Sequence, residues 1–186
     1  MTKEKTDLLR EAVANRKNIL VAGGTGSGKT TFVNALLALP DFTQERIVII
    51  EDTPELQCSA VDKVELLTKR TEPPLTMRDL VMTTLRLRPD RIIVGEVRDG
   101  SALDMLKAWN TGHPGGIATI HANSAQDALG RLEDLVGEVS AQISYRAIAS
   151  AIDLVVFMCR TQAGREVREI VAVKGYDGNK YVFENV

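Results

Sequence analysis

The sequence predicts an α/β protein: a mostly parallel sheet covered by helices on both faces, with a small antiparallel β tail. Three observations carry that prediction. Short apolar runs at Ile19 to Ala22, Arg46 to Ile50, Arg91 to Gly95 and Ile117 to His121 have the length and β-branched content of buried strands. Amphipathic segments of helical period separate them, and strands alternating with helices imply parallel βαβ units. The end of the chain changes character. Arg165 to Val173 and Tyr181 to Phe183 alternate apolar with polar residues, and Asp177-Gly178 between them is a strong hairpin turn.

Taken in order, residues 6 to 16 read as a helix capped by Thr6, with Leu9, Ala12 and Val13 on one face. The strand Ile19 to Ala22 leads through glycines into a helix that opens near Lys29 and ends at Leu39-Pro40. Arg46 to Ile50 is the second strand, and Val64 to Thr68 is a short one after a loop from Cys58 to Lys63. Thr76 starts a helix with Asp79 three residues on, a weakened capping box, and buries Leu80, Val81, Thr84 and Leu85. Pro89-Asp90 stops it before the strand Arg91 to Gly95. Ser101 opens a helix with Leu103, Leu106 and Trp109 inward that ends at Gly112. After Ile117 to His121, Ser124 caps a helix to about Glu138, and a short helix spans Ser144 to Ala151. The apolar strand Leu154 to Cys159 then enters the tail, residues 153–186, where Ala163-Gly164 turns the next pair.

At 186 residues, 44% hydrophobic and 26% charged, the chain reads as one domain, 1–186, with a sizeable core. A net charge of −2 and 4% aromatic residues offer neither a basic field nor stacking platforms, so sequence-specific nucleic-acid binding is not expected. Cys58 and Cys159 lie far apart without metal-ligand spacing and read as reduced thiols of a cytoplasmic protein. No apolar run approaches the ~18 residues that span a bilayer, so any membrane role is expected to be peripheral.

The chain is organised around Gly23-Gly24-Thr25-Gly26-Ser27-Gly28-Lys29-Thr30, followed by Thr31. This fits the phosphate-binding loop pattern in full, and it lies between a strand and a helix, as the pattern requires. Glycines let the backbone wrap phosphates with inward N–H groups, and the helix N-terminus adds a favourable dipole. Lys29 can reach the outer phosphates, and the Thr30 hydroxyl can ligate Mg²⁺. Residues 24–31 are therefore the expected nucleotide-binding set, with ATP and Mg²⁺ as ligands.

In open α/β sheets ligands lie beyond the carboxyl ends of the strands. Three further strands end there in polar residues: Glu51, Asp52 and Glu55 after the second strand, Glu96 after the third, and His121-Ala122-Asn123-Ser124 after the fourth. A carboxylate so placed can hold Mg²⁺ through water or polarise the water that attacks a γ-phosphate, so either Glu51 or Glu55 can serve as the base. Glu96 reads as a metal-side acid and His121 as a γ-phosphate sensor or relay. Arg86, Arg88, Arg91 and Arg98 surround the third strand, and any of them could stabilise transition-state charge.

These motifs resemble the secretion traffic ATPases, the superfamily behind type II secretion, type IV pili and type IV secretion. The phosphate loop is followed in order by Glu51-Asp52-Thr53-Pro54-Glu55-Leu56, by Gly95-Glu96-Val97-Arg98-Asp99 and by Ala118-Thr119-Ile120-His121-Ala122-Asn123. Leu85 to Glu96 looks like the type IV secretion branch, and Ala108 to Gly116 looks like the TrbB-like ATPases of conjugal transfer. The resemblance covers roughly residues 6 to 180. It implies a RecA-like ATPase of a hexameric ring beneath the inner membrane, peripheral to it, that works with inner-membrane components to drive conjugative transfer or pilus assembly. It also implies roles by position: Lys29 and Thr30 on phosphate and Mg²⁺, Glu51 activating water, Glu55 as second acid of its box, Glu96 as the Walker-B acid and His121 as the His-box residue. Family members carry an N-terminal domain ahead of the motor, and only 22 residues precede Gly23, so that domain is expected to be absent. Weak nucleotide binding, poor choice between ATP and GTP, slow turnover and a monomer or weak oligomer are the corresponding expectations.

Other function classes fit less well. A GTPase switch needs a guanine-reading Asn-Lys-x-Asp, and Asn179-Lys180 runs instead into Tyr181-Val182. A small-molecule kinase lacks an acceptor motif and an Arg-rich lid. The alternatives that stand beside the motor reading are a nucleotide-binding assembly module with negligible turnover and a type IV pilus or type II secretion ATPase.

Overall fold

The computed structural model describes residues 1–186. Helices α1 (Lys3–Ala14), α2 (Lys29–Leu37), α3 (Met77–Thr84), α4 (Ala102–Asn110), α5 (Ala125–Gly137) and α6 (Tyr145–Ala151) accompany eight strands. The strands are β1 (Ile19–Gly23), β2 (Ile47–Glu51), β3 (Lys63–Leu67), β4 (Arg91–Val97), β5 (Ile117–Ile120), β6 (Leu154–Thr161), β7 (Gly164–Tyr176) and β8 (Tyr181–Asn185). They form one sheet in the order β3-β2-β4-β5-β1-β6-β7-β8, parallel from β3 to β6 and antiparallel beyond.

The side-chain period of two divides each central strand between two cores. Leu20, Ala22, Val48, Ile50, Ile92, Val94, Ala118 and Ile120 pack with α3, α4, α5 and α6 on one face. Ile19, Val21, Ile47, Ile49, Ile93 and Ile117 pack with α1, α2 and the 3₁₀ turn Pro40–Phe42 on the other. Both faces of these strands are therefore apolar, which is why they read as continuous hydrophobic runs. Leaving the parallel array, β7 and β8 extend the same sheet; Ile170 and Val171 of β7 are buried, and the other residues of the two strands are exposed or half-buried.

Several boundaries differ from the sequence reading for identifiable reasons. Helix α1 begins three residues early because Thr2 caps it, accepting from the Lys5 N–H, while the Thr6 hydroxyl donates to the Thr2 carbonyl from inside the first turn at 3.0 Å. The capping box of α3 is complete: Thr76 Oγ1 accepts from the Asp79 N–H, and the Asp79 carboxylate accepts from the Thr76 N–H at 2.9 Å. A short acid suffices there. Strand β4 continues through Glu96 to Val97, with a bulge against β5 between Val94 and Val97. The antiparallel part starts after β6 rather than at residue 153, since β6 runs parallel to β1 from Leu154 to Met158.

Candidate functional site

Strands β1, β2, β4 and β5 all point their carboxyl ends into one cleft of about 430 Å³. Residues 25–31, Glu51, Glu55, Glu96 and His121 line it together, so the fold gathers nearly all of the motif residues at one edge; Gly24 lies in the loop between β1 and Thr25. Gly28 joins the loop to α2 with φ 97°, a left-handed conformation that side chains disfavour. From that start Lys29 is 8% exposed, and its ammonium donates to the carbonyls of Gly23 at 2.8 Å and Gly24 at 3.2 Å. Burial pushes the Lys29 pKa below its usual value, and the nearby Glu96 charge partly opposes that shift. The Ser27 hydroxyl is buried in the same loop with no hydrogen-bond partner.

Glu51 is the last residue of β2 and is 5% exposed. Its Oε1 accepts the N–H groups of Glu55 and Leu56, both at 3.0 Å, which folds the following loop back across the strand end. Glu55 thereby reaches α2, where the Thr30 hydroxyl donates to its carboxylate at 3.1 Å. One turn further along α2, Asn34 donates to the Glu55 carbonyl at 3.1 Å and accepts the Gln57 N–H at 2.9 Å. Glu51 has room because residue 95 is glycine: a Cβ there would lie 2.9 Å from the Glu51 Cγ.

The bulge in β4 re-aims Glu96 toward its neighbours. One carboxylate oxygen lies 2.6 Å from His121 Nε2 and the other 3.3 Å from Arg98 Nε. Arg98 also pairs with Asp52, which accepts the Thr68 hydroxyl at 2.7 Å, and the Thr119 hydroxyl donates to the Gly95 carbonyl at 2.6 Å. An unbroken polar chain thus runs Thr68, Asp52, Arg98, Glu96, His121.

The structure separates the candidate arginines. Of Arg86, Arg88, Arg91 and Arg98, only Arg98 lines the cleft. Arg91 is the first residue of β4 and so lies at the opposite edge, where Glu45 and the Val13 carbonyl hold it; the exposed Arg86 and Arg88 precede it there. His113 is likewise remote, in the loop before β5 with Nδ1 3.3 Å from the Ala108 carbonyl. The Thr30 hydroxyl is bonded to Glu55.

Two residues escaped the sequence reading. Asn34 carries no motif signal, although an amide one helical turn after the loop is placed to bridge backbone groups. Arg165 comes from β7, and its Nε donates to the Gly26 carbonyl at 3.0 Å. Only the register of the β6–β7 hairpin reveals that approach. Chemically the cleft offers a glycine-rich loop at the N-terminus of α2, cations at Lys29, Arg98 and Arg165, and four carboxylates at its wall (Glu51, Asp52, Glu55 and Glu96), an arrangement suited to a phosphorylated ligand.

Comparison with known proteins agrees with this geometry. The family model described as type II/IV secretion system protein matches residues 1–176. The conjugal transfer protein TrbB of Rhizobium radiobacter is 50% identical across 100% of this chain and 57% of its own length. The type IV secretion system protein VirB11 of Bartonella quintana is 39% identical, covering 90% of this chain and 49% of its own length. Among solved structures, the VirB11 ATPase of the Brucella suis type IV secretion system superposes with a TM-score of 0.83 at 33% identity, over 91% of this chain and 52% of that one. The chain thus spans about half the length of the relatives it matches. With a family match over nearly its whole length and a shared fold, the chain belongs to the type II/IV secretion system protein family.

Proposed function

We propose that residues 1–186 form one RecA-like motor unit that binds and hydrolyses ATP for conjugative transfer or type IV secretion. The observation that carries this reading is the buried Lys29 ammonium, seated on the carbonyls of its own loop and facing Glu51 and Glu96 across one cleft. A triphosphate in the loop gives that ammonium charged partners in place of neutral carbonyls, which favours the exchange. The loop N–H groups and Thr31 then hold the phosphate chain in place. Glu51 is the base candidate. Only its Oε1 is engaged, by two N–H groups that fix the carboxylate, and the other oxygen is left to orient and deprotonate a water. His121, 2.6 Å from Glu96, would couple that acid to the outermost phosphate.

The donors near the loop, Thr30, Glu55 and Glu96, are hard oxygens of the kind Mg²⁺ prefers. No three His, Cys, Asp or Glu side chains converge into a self-sufficient metal site, so phosphate oxygens and water would complete the shell around Thr30 and Glu96. When bound, Mg²⁺ supplies neutralising charge to the phosphates. By family, the full protein is proposed to act as a hexameric ring on the cytoplasmic side of the inner membrane with components of the transfer apparatus. No helix is long and apolar enough to cross a membrane.

The test is nucleotide titration and phosphate release on three variants. Lys29→Ala should weaken ATP binding and turnover together, whereas Glu51→Gln should keep binding and lower hydrolysis by about 10² or more. Glu96→Gln should change the Mg²⁺ dependence. Parental affinity and turnover in a folded Lys29→Ala protein would remove the phosphate-loop assignment. Parental turnover in Glu51→Gln would move the base role to Glu55 or Glu96.

A further inference from the structure

Strand β6 runs beside β1 until Gly23 pairs with Met158, and then continues past the end of β1 through Cys159, Arg160 and Thr161. The β6–β7 hairpin therefore projects alongside the phosphate loop. Within it Arg160 stands directly opposite Arg165, and Cys159 opposite Glu166. Residues paired across antiparallel strands share a face, so both guanidinium groups belong to one side of the hairpin. Arg165 uses it to reach the loop. Its Nε donates to the Gly26 carbonyl at 3.0 Å, and its Cδ lies so close over Gly28 that a Cβ there would come within 2.8 Å.

Neither arginine forms an ion pair. Only the Nε of Arg165 is engaged, which leaves both Nη groups at the cleft without a protein partner. Like charges placed directly across a strand pair repel, and an anion in the cleft would turn that repulsion into attraction. Arg98, the other guanidinium of the cleft, already holds Asp52 and Glu96. Beside Lys29, whose partners are neutral carbonyls, the spare positive charge thus comes from the hairpin.

We propose that the β6–β7 hairpin is a second wall of the phosphate site, with Arg165 as a direct contact to the phosphate chain of a nucleoside di- or triphosphate and Arg160 reinforcing its field. The proposal rests on reading the cleft as a nucleotide site. A guanidinium fork suits phosphate oxygens, and the bond to Gly26 presets its approach. Part of the cation set for phosphate thereby lies in the last quarter of the chain, on strands without any nucleotide-binding motif.

Calorimetric titration of the full chain with ADP and with inorganic tripolyphosphate, at low and high salt, tests this. Arg165→Gln should weaken both ligands by about tenfold at low salt. The difference from the parent should shrink at high salt, because an exposed charge contact is screened. Arg165→Lys should fall between the two, and Arg160→Gln should lose about two- to threefold. Thermal melts confirm that each variant is folded. Parental affinity for both ligands in Arg165→Gln overturns the proposal. So does a loss for ADP alone, which marks a base or ribose contact, and so does an equal loss at both salts, which marks a neutral brace of the loop. If the parent binds neither ligand, the nucleotide reading of the cleft fails first and the proposal with it. If the parent binds and Lys29→Ala does not, the cleft reading stands whatever Arg165 shows.

Discussion

At the amino edge of the sheet Arg91 is 2% exposed and fully partnered: Glu45 takes Nε and Nη2, the Val13 carbonyl takes Nη1 at 2.9 Å, and the Phe42 ring lies 4.6 Å from the guanidinium. Asn18 beside it is equally engaged, accepting the N–H groups of Gly115 and Gly116 and donating to the Ala151 carbonyl. At the carboxyl edge Lys29 is nearly as buried, yet its partners are the carbonyls of a glycine-rich loop, and Ser27 beside it has none. Burial alone does not distinguish the two edges. Saturation does: polar groups that complete one another inside the fold hold it together, and those left with neutral or missing partners are available to a ligand.

The sharpest way to break this contrast is to remove one cation from each edge. Arg91→Ala strands Glu45, with only Arg16 at 2.7 Å left to it, and should lower unfolding free energy by about 3 kcal/mol. Lys29→Ala should leave urea stability nearly unchanged while removing nucleotide affinity. Equal losses of stability from the two substitutions would show that both edges are structural.

A smaller effect is expected where the carboxyl edge depends on shape. The Cβ of Gly95→Ala would press on the Glu51 Cγ, displacing the carboxylate by tenths of an ångström. Turnover should fall about tenfold, since small displacements of a catalytic group are costly, while ADP affinity stays within about twofold. An equal loss of both would mean that Glu51 serves binding rather than hydrolysis. Smaller again is Asn34→Ala, which releases two backbone groups of the 55–57 segment from α2. About 1 kcal/mol of local stability should disappear, visible as faster amide exchange at Gln57. Unchanged exchange there would remove Asn34 from the positioning set.

What the sequence revealed divides along the same line. Gly23 to Thr30, Glu51, Glu96 and His121 were legible because each follows an apolar run, and a parallel sheet sends the ends of such runs to one edge. The position of Arg91 was legible in principle, because the first residue of a strand lies at the opposite edge from its last. Grouping it with Arg98 ignored the seven residues of β4. Arg165 was not legible: its approach depends on hairpin register and on how far β6 overshoots β1, neither of which a local pattern encodes. Nor was the Thr30–Glu55 bond, which arises because Glu51 accepts two N–H groups and folds its own loop back.

The smallest expected effect concerns the proton on Lys29. Burial lowers its pKa from 10.5 in the folded chain, so at neutral pH the charged ammonium opposes folding. Between the folded pKa and 10.5 the unfolded chain binds more protons than the folded one, and stability gains from this residue as pH rises. Below both values the cost is present in full. Lys29→Met removes the group, and titrations elsewhere cancel when variant and parent are compared at each pH. The variant should therefore be slightly more stable than the parent near neutrality, and its advantage should shrink as pH climbs toward 10.5. Urea midpoints of both proteins across that range measure it. Adding tripolyphosphate should abolish the advantage, because phosphate charge favours the ammonium and binds only the parent's complete site. An advantage independent of pH would mean that the methionine gains by packing alone, and that Lys29 is as well satisfied by its two carbonyls as Arg91 is by Glu45.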